Sequence, residues 1–261
     1  MLEIKNIRKE FKNVVAVDGV SFTDEPGKIF GLLGPNGAPE ERGLYKKSTV
    51  IDIVKYFGSL KGMSAAAAEM SGVALLKQLG ISDYKKRKVQ ELSKGNQQKI
   101  QFIVSVIHDP SILILDEPFS GFDPINQELV RDEILRLKSE GKTIILSTHQ
   151  MDMAEKMCES IFLINKGKEV ASGALKEVKR KFGKEFVKIE YEGDAEFIKT
   201  LPGVKQADLY GNFGEIEVND GTDPHSILPV IFEKVTLRKF SIEAPTLNRI
   251  FIDTIKETGG E

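Results

Sequence analysis

The sequence predicts an α/β fold: a mostly parallel sheet flanked by helices, followed by a small α+β unit. Three observations carry this. The unbroken apolar run at residues 112–115, and the apolar stretches within 29–34, 142–147 and 160–165, read as strands buried on both faces, as inside a parallel sheet. Helical apolar spacing fills the stretches between them. After about Val178 the order becomes β-α-β-β-α-β, that of a ferredoxin-like unit.

Composition narrows the function classes. The chain has 261 residues, enough for one large domain or a domain plus a smaller one. Its formal charge of −2 gives no basic excess, so nucleic acid is not expected as the main partner. No apolar run reaches the roughly 18 residues of a membrane span. The opening MLEIKNIRKEF is a charged strand start and not a signal peptide. The single cysteine, Cys158, rules out an internal disulfide and suits a reducing cytoplasm.

Residues 2–7 alternate as a half-buried strand does, and 14–22 read as a second strand with a bend at Asp18-Gly19. Phe11 sits between them. The strand at 29–34 runs into Pro35-Asn36-Gly37-Ala38, the start of a phosphate loop. The full motif is G-x-x-x-x-G-K-[ST], whose backbone N–H groups wrap phosphates while the lysine reaches the outer groups. Counted from Gly34, the glycine and lysine fall at Pro39 and Glu40, with Glu41 next. Proline donates no N–H, and two carboxylates would face phosphate oxygens.

Residues 49–63 and 64–79 read as two amphipathic helices. The cluster Lys85-Lys-Arg-Lys88 reads as a solvated face. Leu92-Ser-Lys-Gly-Asn-Gln-Gln-Lys99 opens a helix through Ile100, Ile103, Val104 and Ile107. The strand at 112–115 delivers Asp116 and Glu117 before Pro118 stops it. Two acids at the carboxyl end of a buried parallel strand stand where open α/β sheets hold ligands. Burying them is costly without a cation, and magnesium carried by a nucleotide supplies one. A helix at 128–137, the strand at 142–147 ending at His149, a helix at 151–158, the strand at 160–165 and a turn at Lys166-Gly167 follow. The charged stretch 179–184 reads as a linker. Beyond it come strand 185–191, helix 194–200, strand 204–210, a turn at Gly211-Asn212, strand 213–219, helix 224–233, strand 235–243 and a final helix at 248–256. His225 reads as a surface or capping residue.

These motifs, in this order and spacing, resemble those of ATP-binding-cassette (ABC) ATPases over roughly the first two-thirds of the chain. LSKGNQQK resembles the signature motif, ILILDE the Walker B strand with its glutamate, SGFD the D-loop and His149 the switch histidine. The resemblance implies a P-loop NTPase domain at 1–178, a linker at 179–184 and an accessory α+β domain at 185–261. It implies ATP and Mg2+ as cofactors, with Glu117 and His149 catalytic. Asp116 and Glu40, the latter at the family's glutamine position, would serve the metal. Gly34, Asn36, Gly37, Ser93, Gly95 and Asp123 would bind nucleotide. Phe11 is either the adenine-stacking aromatic or a plain core or edge residue.

Partners are implied too. They are a second ATPase copy paired head to tail and a transmembrane permease docked near the 49–79 helices, with no nucleic acid. The chain would then be cytoplasmic, peripheral on the membrane through that permease. Residues 39–45 and 94–99, with the C-terminal appendage, look like bacterial sodium- or drug-export cassettes. Lys94 and Asn96 depart from the usual glycine and glutamine of the signature.

The phosphate loop departs further. An internal deletion between Ala38 and Pro39 is one reading, since residues 39–47 resemble the family's Q-loop region. The lost piece would hold the lysine, the first helix and the antiparallel β subdomain. Gly37 and Leu92 stand only 55 positions apart (92 − 37), short for the family. The other reading is an insertion, with Lys47-Ser48-Thr49 completing the loop late. The deletion is preferred, because the loop needs a short continuous nest of N–H donors. A hydrolysis-defective or regulatory subunit therefore stands beside the transport ATPase as a second function class.

Overall fold

The computed structural model describes residues 2–11, 14–34, 44–182, 186–219 and 221–257. The chain forms two compact units, Met1–Gly173 and Ala174–Glu261.

The first unit opens with an antiparallel pair, β1 (Leu2–Phe11) and β2 (Val14–Asp24). The first strand runs four residues past the expected end at Ile7. Register shifts after Ile4, Ile7 and Lys9 explain why alternation fades there. Asn6 takes a left-handed φ of 49° and donates its N–H to Ser21 Oγ at 2.8 Å.

The main sheet holds β3 (Ile29–Leu33), β4 (Ile112–Asp116), β5 (Thr143–Thr148), β6 (Ser160–Asn165) and β7 (Lys168–Ala174), in the order β4-β5-β3-β6-β7. The β4–β5, β5–β3 and β3–β6 pairs are parallel. In sequence β7 is invisible, because Val170 is its one large apolar residue. The strand β4 corrects the expectation of burial on both faces. Leu113 and Leu115 are buried, whereas Ile112 and Ile114 are 49% and 73% exposed. The reason is positional: β4 is the sheet's edge, and among the described residues nothing covers that face.

Helices α1 (Val50–Leu60) and α2 (Ala65–Gln78) start where Thr49 and Ser64 accept hydrogen bonds from the N–H groups of Asp52 and Ala67. The two cross closely at Gly72, where a Cβ would fall 2.2 Å from Val54 Cγ1. Two 3₁₀ turns, Ser82–Tyr84 and Val89–Glu91, lead to α3 (Lys94–Val106). Helix α4 (Pro124–Ser139) begins four residues before its expected start. Asp123 caps it and Pro124 pre-sets the first turn, a start signal that apolar spacing alone does not register. Helix α5 (Met151–Met157) follows β5.

The second unit begins with α6 (Leu175–Lys181), so residues 179–181 finish a helix where a linker was expected. Its charged residues are good helix formers, and Val178 anchors it by burial. Four antiparallel strands follow: β8 (Phe186–Glu192), β9 (Val204–Tyr210), β10 (Phe213–Val218) and β11 (Thr236–Glu243). Their order, β11-β8-β10-β9, places the unit's own fourth strand beside its first and its third beside its second. This is the ferredoxin-like arrangement that the element order predicts. The first crossover is a 3₁₀ helix, Glu196–Thr200. The second is a 3₁₀ turn, Pro224–Ile227, running into α7 (Leu228–Lys234). Val187, Ile189, Ile198, Ile216 and Ile231 form the core. Helix α8 (Leu247–Glu257) buries Leu247 and Ile250. Its Arg249 bonds Asp208 and Asp253 and lies 5.4 Å from the Phe186 ring.

Ile216 is fully buried at the centre of this sheet. Ile216→Ala is expected to destabilise the second unit by about 2–5 kcal/mol through lost burial and a residual cavity. Urea unfolding followed by circular dichroism checks this; a shift under half a kcal/mol would contradict it.

Candidate nucleotide site at the carboxyl ends of the sheet

Parallel registration brings three strand ends together. Leu33 lies opposite Thr148, and Asp116 opposite Ser147. Glu117 continues the ladder by one bond, its N–H donating to the Ser147 carbonyl at 3.0 Å. Its φ of 45° is left-handed, a conformation that costs a side-chain-bearing residue about 1–3 kcal/mol. Hydrogen bonds hold it there. Glu117 Oε1 accepts the His149 N–H at 2.9 Å and faces His149 Nδ1 at 2.6 Å. Oε2 accepts the Thr148 hydroxyl at 3.2 Å. The Ser147 hydroxyl donates to Asp116 Oδ1.

Glu117 is half-buried, but Asp116 is exposed, which corrects the expectation of two buried acids. The cause is the open face of β4 on which Asp116 lies. A cleft of about 170 Å³ borders it, lined by Gln98, Phe102, Ser105, Ile114 and Pro118 among others. Among the described residues no group of three or more histidines, cysteines, aspartates or glutamates is arranged to hold a metal ion. A lone carboxylate at a strand end suits magnesium, which binds through one or two carboxylates plus substrate phosphates.

The signature stretch sits at the start of α3. Ser93 is exposed and caps the helix, its Oγ accepting the Asn96 N–H at 3.2 Å. A Cβ on Gly95 would stand 3.4 Å from Phe122 Cδ1, so the SGFD turn packs against the helix start. Phe119 and Phe122 are buried and anchor that turn. Asp123 caps α4. The N–H of Asn126, bonded to its carboxylate, holds it below the usual aspartate range.

Phe11 ends β1, 60% exposed, with Lys9 Nζ 5.0 Å from its ring centre. Gly34 follows β3, where a Cβ would meet Ile164 Cγ2 at 2.9 Å. Asn36, Gly37 and Glu40 lie outside the described residues.

Sequence reasoning passed over Thr148, Gln98 and Lys99. Thr148 bonds the glutamate, and its place between Ser147 and His149 was the available signal. Gln98 donates its amide to the Glu117 carbonyl at 3.4 Å, joining the signature helix to the acidic corner. Lys99 is buried and donates to the Leu79 carbonyl at the end of α2, at 2.6 Å. A cation there complements the helix dipole. Nothing in a charged residue at helical spacing reveals such a partner.

Comparisons with known proteins bear on this geometry. An uncharacterized ABC transporter ATP-binding protein of Bacillus subtilis (strain 168), YhaQ, is 37% identical over 98% of both chains. The chain belongs to the ABC transporter ATP-binding proteins. Another such relative, from Methanocaldococcus jannaschii, is 44% identical over 76% of this ABC chain and 85% of its own. A fluoroquinolones export ATP-binding protein of Mycobacterium tuberculosis is 33% identical over 71% and 74%. Residues 173–255 match the family described as ATP-binding protein DrrA1-3-like, C-terminal domain. Residues 53–152 match one described as AAA domain, putative AbiEii toxin, Type IV TA system. A solved ATP binding subunit of an ABC transporter superposes with a TM-score of 0.64 at 24% identity, over 69% of this chain and 92% of that one. That likeness places the ABC ATPase fold on this chain. Among the described residues no helix is long and apolar enough to cross a membrane.

Burial pushes the Lys99 ammonium below the usual lysine range, partly offset by Asp123. The unfolded chain therefore binds more protons than the native one between the lowered value and about 10.5, so stability contributed by this group rises with pH in that window. Lys99→Met removes the dependence. The wild-type chain is expected to gain stability relative to Lys99→Met as pH climbs toward 10.5, read by urea unfolding at matched pH. A flat or falling difference would contradict it.

Proposed function

We propose that this chain is the ATP-hydrolysing subunit of an ABC exporter, working as a head-to-tail pair beneath a separate membrane permease. The cluster of Asp116, Glu117, Thr148 and His149 at adjoining strand ends carries the reading. Asp116 is the candidate for holding magnesium. Bound Mg-ATP supplies the electrophilic γ-phosphoryl group. Glu117 is the candidate general base. Its Oε1 already accepts from the His149 backbone and faces the ring, so Oε2, with only the Thr148 hydroxyl against it, has capacity to take a proton from water. When His149 Nδ1–H donates to Glu117, a neutral ring leaves Nε2 an acceptor. Donation from Nε2 to phosphate then needs the imidazolium form.

Ser93 and the N-terminus of α3, with Gly95, are proposed to meet the nucleotide of the second copy, where the helix dipole favours anionic oxygens. Phe11 is proposed to stack on the adenine, and Asp123 to orient the turn facing the partner copy. Permease docking is assigned to α1 and α2, where Tyr45 and Tyr56 stack edge-on at 5.4 Å and Leu60, Met70 and Val73 are exposed. Export follows the names of relatives such as the fluoroquinolones protein and a Nod factor export ATP-binding protein of Burkholderia lata.

A hydrolysis-defective subunit is the second reading, and the loop sequence Gly34-Pro-Asn-Gly-Ala-Pro-Glu-Glu41 favours it. The insertion alternative loses support from Lys47–Thr49. The N–H groups of Ser48, Val50 and Ile51 are spent on Tyr45, Arg87 and Lys85 carbonyls, and the Thr49 hydroxyl on capping α1. The length of the B. subtilis relative favours a deletion. Its alignment spans 293 positions, about 37 more than this chain contributes (293 less 98% of 261).

Two measurements test these readings. Mg-ATP titrated calorimetrically into the chain is expected to bind weakly, since each lost charge-assisted bond is worth about 1.5–3 kcal/mol. Low-micromolar affinity would restore a working loop. In a chain given the lysine-bearing segment, Glu117→Gln is expected to cut turnover about 10²–10⁴-fold and leave ATP binding intact. Undiminished hydrolysis there removes Glu117 from the role.

A further inference from the structure

We infer that the basic patch formed where residues 46–47 lie against residues 85–88 is a contact site for an anionic membrane surface, met through its phosphate headgroups. It deepens the transport reading above and rests on it for what lies beside the patch.

In sequence, Lys85-Lys-Arg-Lys88 reads as a solvated face, and Lys46-Lys47 stands far from it along the chain. The fold joins them. An antiparallel bridge pairs Thr49 with Lys88. Around it the Lys46 and Ser48 carbonyls accept the N–H groups of Gln90 and Val89, at 3.0 and 3.1 Å. The Arg87 and Lys85 carbonyls accept those of Val50 and Ile51, both at 3.0 Å. Backbone bonds therefore hold two cationic stretches side by side. Lys46, Lys47, Lys86, Arg87 and Lys88 are all exposed. Lys85 pairs with Glu69, and the Arg87 guanidinium lies 5.2 Å from the Tyr84 ring centre. Among the described residues no carboxylate pairs with Lys46, Lys47, Lys86 or Lys88. Like charges crowded in this way repel, and a facing polyanion offsets the cost.

The patch belongs to a wider asymmetry. Residues 44–91 carry nine lysines and arginines against four aspartates and glutamates, a formal +5 in a chain of −2, so the remainder stands at −7. An anionic surface attracts this part of the first unit and repels the rest, which sets the orientation of approach. Tyr45 precedes Lys46 and its ring meets Tyr56 edge-on, so the patch borders the surface proposed for the permease. A permease sits in a bilayer, and lipid headgroups surround whatever docks on it. The five cations are exposed, so each stays hydrated and one small anion gains little from them. A field of headgroups sums their attraction, at about fivefold in affinity per cation.

Co-sedimentation of the full chain with vesicles tests this, with equal parts phosphatidylglycerol and phosphatidylcholine set against phosphatidylcholine alone. Binding to the first and not the second is expected. It should fade in about 1 M salt, where the screening length falls to about 3 Å. Lys46→Gln, Lys47→Gln, Lys86→Gln and Lys88→Gln combined are expected to weaken binding by about tenfold or more. Lys5→Gln, Lys156→Gln, Lys168→Gln and Lys176→Gln combined make the same change in net charge elsewhere, and should leave binding within about twofold. All eight positions are exposed, so both variants keep their fold, as circular dichroism checks. No binding to the anionic vesicles, equal binding to both kinds, or an equal loss in the two variants overturns the inference. Displacement by millimolar inorganic phosphate at constant ionic strength overturns it in favour of a small-anion site. Binding to a single-stranded RNA oligomer without vesicle binding overturns it in favour of nucleic acid. No nucleotide or permease enters the assay. A failed ATPase reading therefore leaves vesicle binding untouched, and a chain that hydrolyses ATP but ignores anionic vesicles overturns this inference alone.

Discussion

The register between β4 and β5 is the constraint on which the site depends. With Asp116 opposite Ser147, the Glu117 N–H reaches one carbonyl further and its side chain meets Thr148 and His149. Parallel strands side by side end at one level only when the register is fixed. A slip of one residue would send every side chain of β4 to the other face. Leu113 and Leu115 against the core set that register, because the alternative buries Asp116 and exposes both leucines. Core packing thus decides where the acids stand.

The same logic links the site to its surroundings. Gln98 ties α3 to the Glu117 carbonyl, Gly95 lets the SGFD turn close on the helix start, and Lys99 fastens the same helix to the end of α2. One helix therefore connects the acidic corner, the candidate partner-facing turn and the α1–α2 pair. Each link is a side-chain bond or a close approach across an element boundary. Movement of α2 would be felt at Ser93 through few intermediates.

The first unit carries an unusual local conflict. Its candidate site corner holds a left-handed glutamate kept in place by hydrogen bonds with Ser147, Thr148, His149, Gln98 and Ser120. Next to it, two isoleucines and a carboxylate share an uncovered face. A soluble sheet edge is normally blunted by charge, proline or an overlying element. Here a hydrogen-bonded acidic corner adjoins an uncovered strand face, and the alignment with the B. subtilis relative is about 37 positions longer than this chain's share of it (293 less 98% of 261).

Much of this was legible in the sequence. Apolar runs gave the parallel strands: in β3, β5 and β6 burial on both faces leaves little room for polar alternation, whereas β4 carries its run although one face is open. The turn pairs and alternation of the last third gave the ferredoxin-like order, with strand ends within a residue or two. Motif spacing gave the family, and it named Asp116, Glu117 and His149. Tertiary structure alone decided three things. It opened one face of β4, since a strand's own residues do not say whether a neighbour is present. It paired Glu117 with His149 through residues 32 positions apart, which local pattern cannot join. It also buried Lys99 against a carbonyl 20 residues away, a placement set by helix packing that charge and periodicity leave unmarked.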